Sequence, residues 1–287
     1  MQTHLSSSKK EVVIGEGCPT VIIGERINPT GKQYLAKALE EENFQVLEEE
    51  ARIQVEAGAD LLDVNVGGAG IDETKVLPMV VQYLTRIVDV PLVIDSANPA
   101  AIEAALKVYH GKALINSVTA EEASLNRVLP LVSNRGCAVI GLCMDEKGIP
   151  DSATARLNLA QKILRRAESC GLKHEDLLID PIVMSVGTDY LAAVKTLETI
   201  RLVEKELGLN TCLGTSNISF GLPDRRSIGF SFLCLSVAAG ARALIVDPTA
   251  LRLKRLLRAT EMLLGRDEWA QRYLVDYRSE LPDIEKG

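Results

Sequence analysis

Eight short runs rich in β-branched and aliphatic residues recur along the chain, at 20–24, 60–65, 91–95, 113–116, 137–142, 176–180, 211–214 and 243–247. Each is apolar throughout rather than alternating. Strands buried on both faces read this way, and such strands are usually parallel. Parallel neighbours need long crossovers, and the segments between the runs supply helices. The spacing predicts a helix over 45–58, stopped by Gly58, and one over 99–110, with Pro99 suited to its first turn and Gly111 to its stop. It predicts others over 151–171, 189–208 and 249–264, the last with Thr249 as N-cap and Gly265 just past its end. Eight strand-then-helix units predict an α/β fold of the (β/α)8 TIM-barrel type, here one domain over 1–287 with a core at about 21–265. A doubly wound open sheet is the alternative, weakened because no G-x-G-x-x-G follows any run. Gly67-Gly68-Ala69-Gly70 reads as a loop. Residues 12–16 suggest a short hairpin, within an N-terminal arm over 1–20, that plugs the barrel bottom. A C-terminal helix and frayed tail are expected over 266–287.

Composition narrows the function. Aromatics make up only 4% of the 287 residues, so the core is aliphatic. The net charge of −7 argues against a nucleic-acid partner, which calls for a basic face. There is no apolar stretch long enough for a membrane span and no apolar signal core near Met1. None of the six cysteines forms a C-x-x-C pair, and the three histidines form no zinc-type cluster, so a reduced, cytoplasmic setting is expected.

In a barrel the site lies where strands end and βα loops begin. The runs end on Glu25, Arg26 and Asn28; Asp63 and Asn65; Asp95 and Ser96; Asn116 and Ser117; Met144 and Asp145; Asp180; Ser216 and Asn217; and Asp247. This ring of amides and carboxylates holds no histidine or lysine. Asp and Asn also gather at strand ends simply because they cap helices and make turns. Yet Asp95, Asn116, Asp180 and Asn217 each follow a hydrophobic strand into one cavity. Together they suit a planar ligand with donors and acceptors side by side, such as an amino-pyrimidinone. A magnesium site on Asp63, Asp95 and Asp180 is a weaker alternative.

At these residues the sequence resembles the pterin-binding methyltransferases: the methyltetrahydrofolate:corrinoid protein enzymes, the folate domain of cobalamin-dependent methionine synthase and, more distantly, the dihydropteroate synthases. The resemblance runs from Val21 to about Leu264. It rests on Ile23-Gly24-Glu25-Arg26-Ile27-Asn28, Leu62-Asp63-Val64-Asn65, Ile94-Asp95-Ser96, Ile115-Asn116-Ser117, Gly141-Leu142-Cys143-Met144, Ile179-Asp180-Pro181 and Gly214-Thr215-Ser216-Asn217 in that order. It implies that Asp95, Asn116 and Asp180 hold the pterin ring and that Asn217 sits near N5. It further implies that Gly214 and Ser216 line the adjoining wall, with Met144 and Arg225 close to the ligand. Asn217 and Asp180 are the implied catalytic pair. Asn217 stands where dihydropteroate synthases carry a Ser-Arg-Lys motif, which favours methyl transfer over pterin condensation. Phe220 stands where many relatives have glutamine, which removes one amide from the carried-over pattern.

The implied co-substrates are tetrahydrofolate and a corrinoid (cobalamin). The chain shows no Asp-x-His-x-x-Gly corrinoid motif, so the corrinoid is expected on a partner corrinoid protein. No segments for homocysteine, cobalamin or activation are evident, which sets the chain apart from a complete methionine synthase. A homodimer is expected from the resemblance. A dihydropteroate synthase-like enzyme and a non-catalytic pterin-binding barrel are the alternative functions.

Overall fold

The computed structural model describes residues 1–279. Eight parallel strands close a barrel: β3 (Val21–Ile27), β4 (Leu61–Asn65), β5 (Leu92–Asp95), β6 (Leu114–Thr119), β7 (Ala138–Leu142), β8 (Leu177–Asp180), β9 (Asn210–Gly214) and β10 (Ala243–Val246). Strand β10 pairs with both β9 and β3, so no edge is left open. The helices between them are α1 (Gln33–Glu40), α2 (Gln45–Glu56), α3 (Glu73–Ile87), α4 (Pro99–Val108), α5 (Glu122–Arg135), α6 (Ala153–Ser169), α7 (Ala192–Leu202), α8 (Arg225–Ala239) and α9 (Leu253–Leu263). Helix α10 (Gln271–Ser279) follows; the rest of the expected tail lies outside the described residues. Among the described residues, no helix is long and apolar enough to cross a membrane.

Side chains alternate along each strand, and the two faces meet different partners. Outward residues such as Leu62, Ile94, Ile115 and Ile179 pack under the helices. Inward residues Val21, Ile23, Leu61, Val93, Leu114, Ala138, Ile140, Leu178, Cys212 and Ala243 fill the barrel. Two residues further along, the inward positions turn polar: Glu25, Asp63, Asp95, Asn116 and Asp180. The period-2 register therefore stacks a carboxylate-and-amide layer on top of the apolar plug, at the open C-terminal mouth.

The other end is sealed by an antiparallel hairpin of β1 (Gln2–Ser6) and β2 (Glu11–Gly15), whose Leu5, Val12 and Ile14 join the interior cluster. Asn210, at the start of β9, ties it in place by donating to Ile14 O at 3.1 Å and Thr3 Oγ1 at 3.2 Å. Ile14 is fully buried. Ile14→Ala is expected to destabilise the protein by about 2–4 kcal/mol, measured by denaturant unfolding, with the mouth untouched.

The predicted helices shift at their ends, and two boundary residues play other roles than the sequence expectation gave them. Helix α4 ends at Val108, three residues before Gly111. A Cβ at Gly111 would lie 2.2 Å from Ser6 O, so this glycine admits the hairpin rather than stopping the helix. Thr249 is not an N-cap: its hydroxyl donates to Asp247 at 2.6 Å, and the helix begins at Leu253 behind Arg252, whose φ is 72°.

Candidate active site

A cavity of about 520 Å³ opens at the mouth above the polar layer. It brings together Asp95, Asn116, Asp180, Gly214, Ser216 and Asn217, and adds Glu25, Arg26, Asn28, Asp63 and Asp247 from the same strand ends. It also takes in Lys32, from the loop after β3. The expectation of a lysine-free ring is thus corrected: this loop folds back so that Lys32 Nζ donates to Arg26 O at 2.7 Å. Met144 and Arg225 are not in its lining. Met144 is half-buried, its carbonyl accepting from Ala120 N, and Arg225 lines an adjoining chamber. Phe220 is also outside the lining; it lies exposed, with the Arg225 guanidinium 5.7 Å from its ring centre.

Register breaks lie at the mouth, in β3 between Gly24 and Ile27 and in β6 between Asn116 and Val118. Such bulges re-aim neighbouring side chains. Here they flank Glu25, Arg26 and Asn116.

The floor is a hydrogen-bonded relay. Asn65 Nδ2 donates to Asp95 Oδ2 at 2.9 Å, and Asn116 Nδ2 donates to Asp63 Oδ1 at 3.1 Å. Asp63 is 3% exposed; burial and then the charge of Asp95 raise its carboxyl well above the usual range. Burial also raises Asp95, against the hydrogen bonds from Asn65 and Asp63. Asp180 is pushed up to about 7 by burial, although Ile182 N donates to its Oδ1 at 2.7 Å and Arg156 opposes the shift. Glu25 is likewise raised to about 7, by burial and then by Asp247. Each of these carboxyls accepts a hydrogen bond, but too few to offset burial of its charged form. A ligand edge presenting N–H groups supplies further donors.

The opposite wall is rigid. Arg26 donates to Glu50 through Nε at 2.6 Å and Nη2 at 3.1 Å, and its Nη1 reaches Asp247 at 3.1 Å. This bidentate pair joins β3, α2 and β10. Asn217 differs from every residue above. It sits in the 3₁₀ turn Thr215–Ser219 after β9, exposed at the rim, and among the described residues its carboxamide has no hydrogen-bond partner. Among the described residues, no cluster of three or more acidic, histidine or cysteine side chains is arranged to hold a metal ion.

A family model described as pterin binding enzyme matches residues 24–247. The chain belongs to the pterin-binding enzyme family. Within it the chain falls among the methyltransferases. It is 30% identical over 263 residues to the methylcorrinoid:tetrahydrofolate methyltransferase of Eubacterium limosum, covering 90% of this chain and 96% of that one. It is 29% identical over 232 residues to the methionine synthase of Mycobacterium tuberculosis, spanning 77% of this chain but only 20% of that larger enzyme. The barrel is also seen in the Yersinia pestis dihydropteroate synthase, with a TM-score of 0.69 at 19% identity, over 92% of this chain and all of that one. At that identity the likeness concerns the fold alone.

Proposed function

We propose that this pterin-binding enzyme moves a methyl group between N5 of tetrahydrofolate and the cobalt of a corrinoid carried by a partner protein. The observation that carries the reading is the division of the mouth into a buried, donor-hungry floor and one unpaired carboxamide at the rim. The floor suits the flat amino-pyrimidinone edge of a pterin. Asp180 accepts two parallel N–H bonds from it, while Asp95 and Asn116 meet its remaining donors and acceptors. The full-length similarity to a methylcorrinoid:tetrahydrofolate methyltransferase supports the same substrate pair.

With the ring held this way, N5 faces Asn217 and the solvent. In the direction that forms methyltetrahydrofolate, the N5 lone pair forms the new N–C bond. The carbon–cobalt bond breaks, its electron pair stays on cobalt, and N5 sheds its proton. In the reverse direction N5 must be protonated before the methyl can leave. One carboxamide serves both: its oxygen accepts from N5–H⁺, and after rotation its NH₂ donates to neutral N5. Either direction uses the same transition state, so substrate supply decides the flux. The partner corrinoid protein docks transiently over the mouth, where Asn217 is exposed.

The deciding experiment is anaerobic incubation of the enzyme with methylcobalamin and tetrahydrofolate, followed by absorbance. Demethylation that depends on both enzyme and tetrahydrofolate is expected. Incorporation of p-aminobenzoate into a pterin product instead would turn the reading to condensation chemistry, and pterin binding without either reaction would leave only a binding barrel. A second expectation concerns the floor. Asp95→Asn removes the charge that meets the ligand edge and turns a donor towards it. The dissociation constant for tetrahydrofolate should rise about 30- to 150-fold, the worth of a charge-assisted hydrogen bond of roughly 2–3 kcal/mol. An unchanged constant by titration calorimetry would remove Asp95 from the pterin site.

A further inference from the structure

A second chamber, of about 460 Å³, adjoins the first and shares Glu25, Ser216 and Asp247 with it. Its chemistry is different. The inner surface is apolar, built by Phe230 and Leu233 of α8, Val246 of β10 and Leu253 of α9. Its outer rim carries Arg225 and Arg226. Arg225 donates only to neutral oxygens, Ser216 O at 3.0 Å and Ser219 Oγ at 3.3 Å. Arg226 makes no hydrogen bond or ion pair among the described residues. Of the acids on the shared wall, Asp247 is held by Arg26, while Glu25 accepts from Ser216 and feels the charges of Lys32 and Arg225. Two exposed cations thus stand at the rim of an apolar slot, neither in an ion pair among the described residues, with Arg225 near the charge of Glu25 and Arg226 near that of Asp224, in a protein of net charge −7.

Gly229 adds an independent observation. It lies inside helix α8 and lines this chamber, and a Cβ built on it meets nothing within 4 Å. Glycine in a helix interior costs about 1 kcal/mol relative to alanine, and here no neighbour demands it. Its only visible effect is to leave the chamber open.

Resting on the reading of the first chamber as a pterin site, we propose that the second chamber seats the tail of the same reduced folate. The aromatic ring of the tail lies along Phe230 and Leu233, and its glutamate carboxylates meet Arg225 and Arg226. A third chamber, of about 420 Å³, touches Asp95 and Asn116 on the other side and carries Arg127. Its lining is richer in hydroxyl groups, and it lacks a paired cationic rim, so the tail is assigned to the slot beside α8.

Titration calorimetry under anaerobic conditions tests this without the corrinoid partner, using tetrahydrofolate and the tail-less 6-methyltetrahydropterin. Wild type should bind tetrahydrofolate at least tenfold more tightly than the tail-less pterin. Gly229→Phe fills the chamber and should bring the two affinities within about threefold, with the tail-less pterin still bound within about twofold of wild type. Arg226→Gln, which leaves the chamber open, should remove a several-fold share of the advantage, and Arg127→Gln none. Thermal melting checks that each variant folds. If Gly229→Phe folds and keeps the full tail advantage, or if Arg127→Gln abolishes it, the assignment is wrong while the pterin site stands. If wild type binds neither compound, the pterin reading falls and this one with it.

Discussion

Asn217→Ala will slow methyl transfer by about two to three orders of magnitude while changing the affinity for reduced folate by less than about threefold. The separation follows from where the residue sits. The floor residues are bound into the barrel and meet the part of the ring that does not change during the reaction. Asn217 is exposed at the rim and its carboxamide has no hydrogen-bond partner among the described residues. It therefore gives little to the resting complex. What changes on the reaction path is the charge at N5, and a dipole already aimed there acts mainly on the transition state. Removing one such group typically costs 10²–10³ in rate. Single-turnover transfer from methylcobalamin, beside a binding titration, separates the two quantities. Equal losses in rate and affinity would make Asn217 a ground-state contact and pass the proton step to Asp180 or water.

Much of this arrangement was legible in the sequence because a parallel barrel ties function to register. The eight apolar runs fall on β3 to β10, and the closed eight-stranded order follows from their regular spacing. Once a strand is known to face inward at Val93 or Leu178, the alternation delivers Asp95 and Asp180 to the mouth. What was not legible depends on chain segments without periodicity. Lys32 follows Asn28-Pro29-Thr30-Gly31, and nothing in that loop's composition says it folds back over β3. Helices α3 and α5 each carry an internal proline, Pro78 and Pro130, which blurs the helical signal even though both helices continue through them. Arg225 follows the end of its strand by eleven residues, far enough for a turn to carry it into the neighbouring chamber. Glu25 stood among the strand ends, but its raised acidity depends on burial and on Asp247, more than two hundred residues away. The alternation could have given its direction; only the fold gives its environment.

Asp180→Asn should produce two opposite effects from one substitution. In the free protein the Asp180 carboxyl is held at about 7, against an ordinary value of 3.8, because burial penalises its charge. The folded pKa lies above the unfolded one, so the folded state binds more protons between them. The stability tied to this group is fully present below about pH 4 and is lost as pH rises towards 7. Solvent in the open cavity screens part of the penalty, leaving a cost on the order of 2 kcal/mol at pH 8. Asparagine cannot ionise and escapes that cost. The ligand-free variant should therefore melt about 4 °C above wild type at pH 8, and the difference should vanish near pH 4. Pterin binding should weaken by about 100-fold in the same variant, since an amide accepts only one of the two parallel N–H bonds and places its own NH₂ against the other. Wild type should also release a proton on binding tetrahydrofolate near pH 6.5, as the ligand's donors draw the carboxyl back towards its ordinary range, and the variant should lack that release. Calorimetry in buffers of different ionisation enthalpy reads the proton directly. A variant less stable than wild type at pH 8 would mean that Asp180 is satisfied without ligand, and its place as the principal acceptor for the pterin edge would have to pass to the Asp63–Asp95 pair.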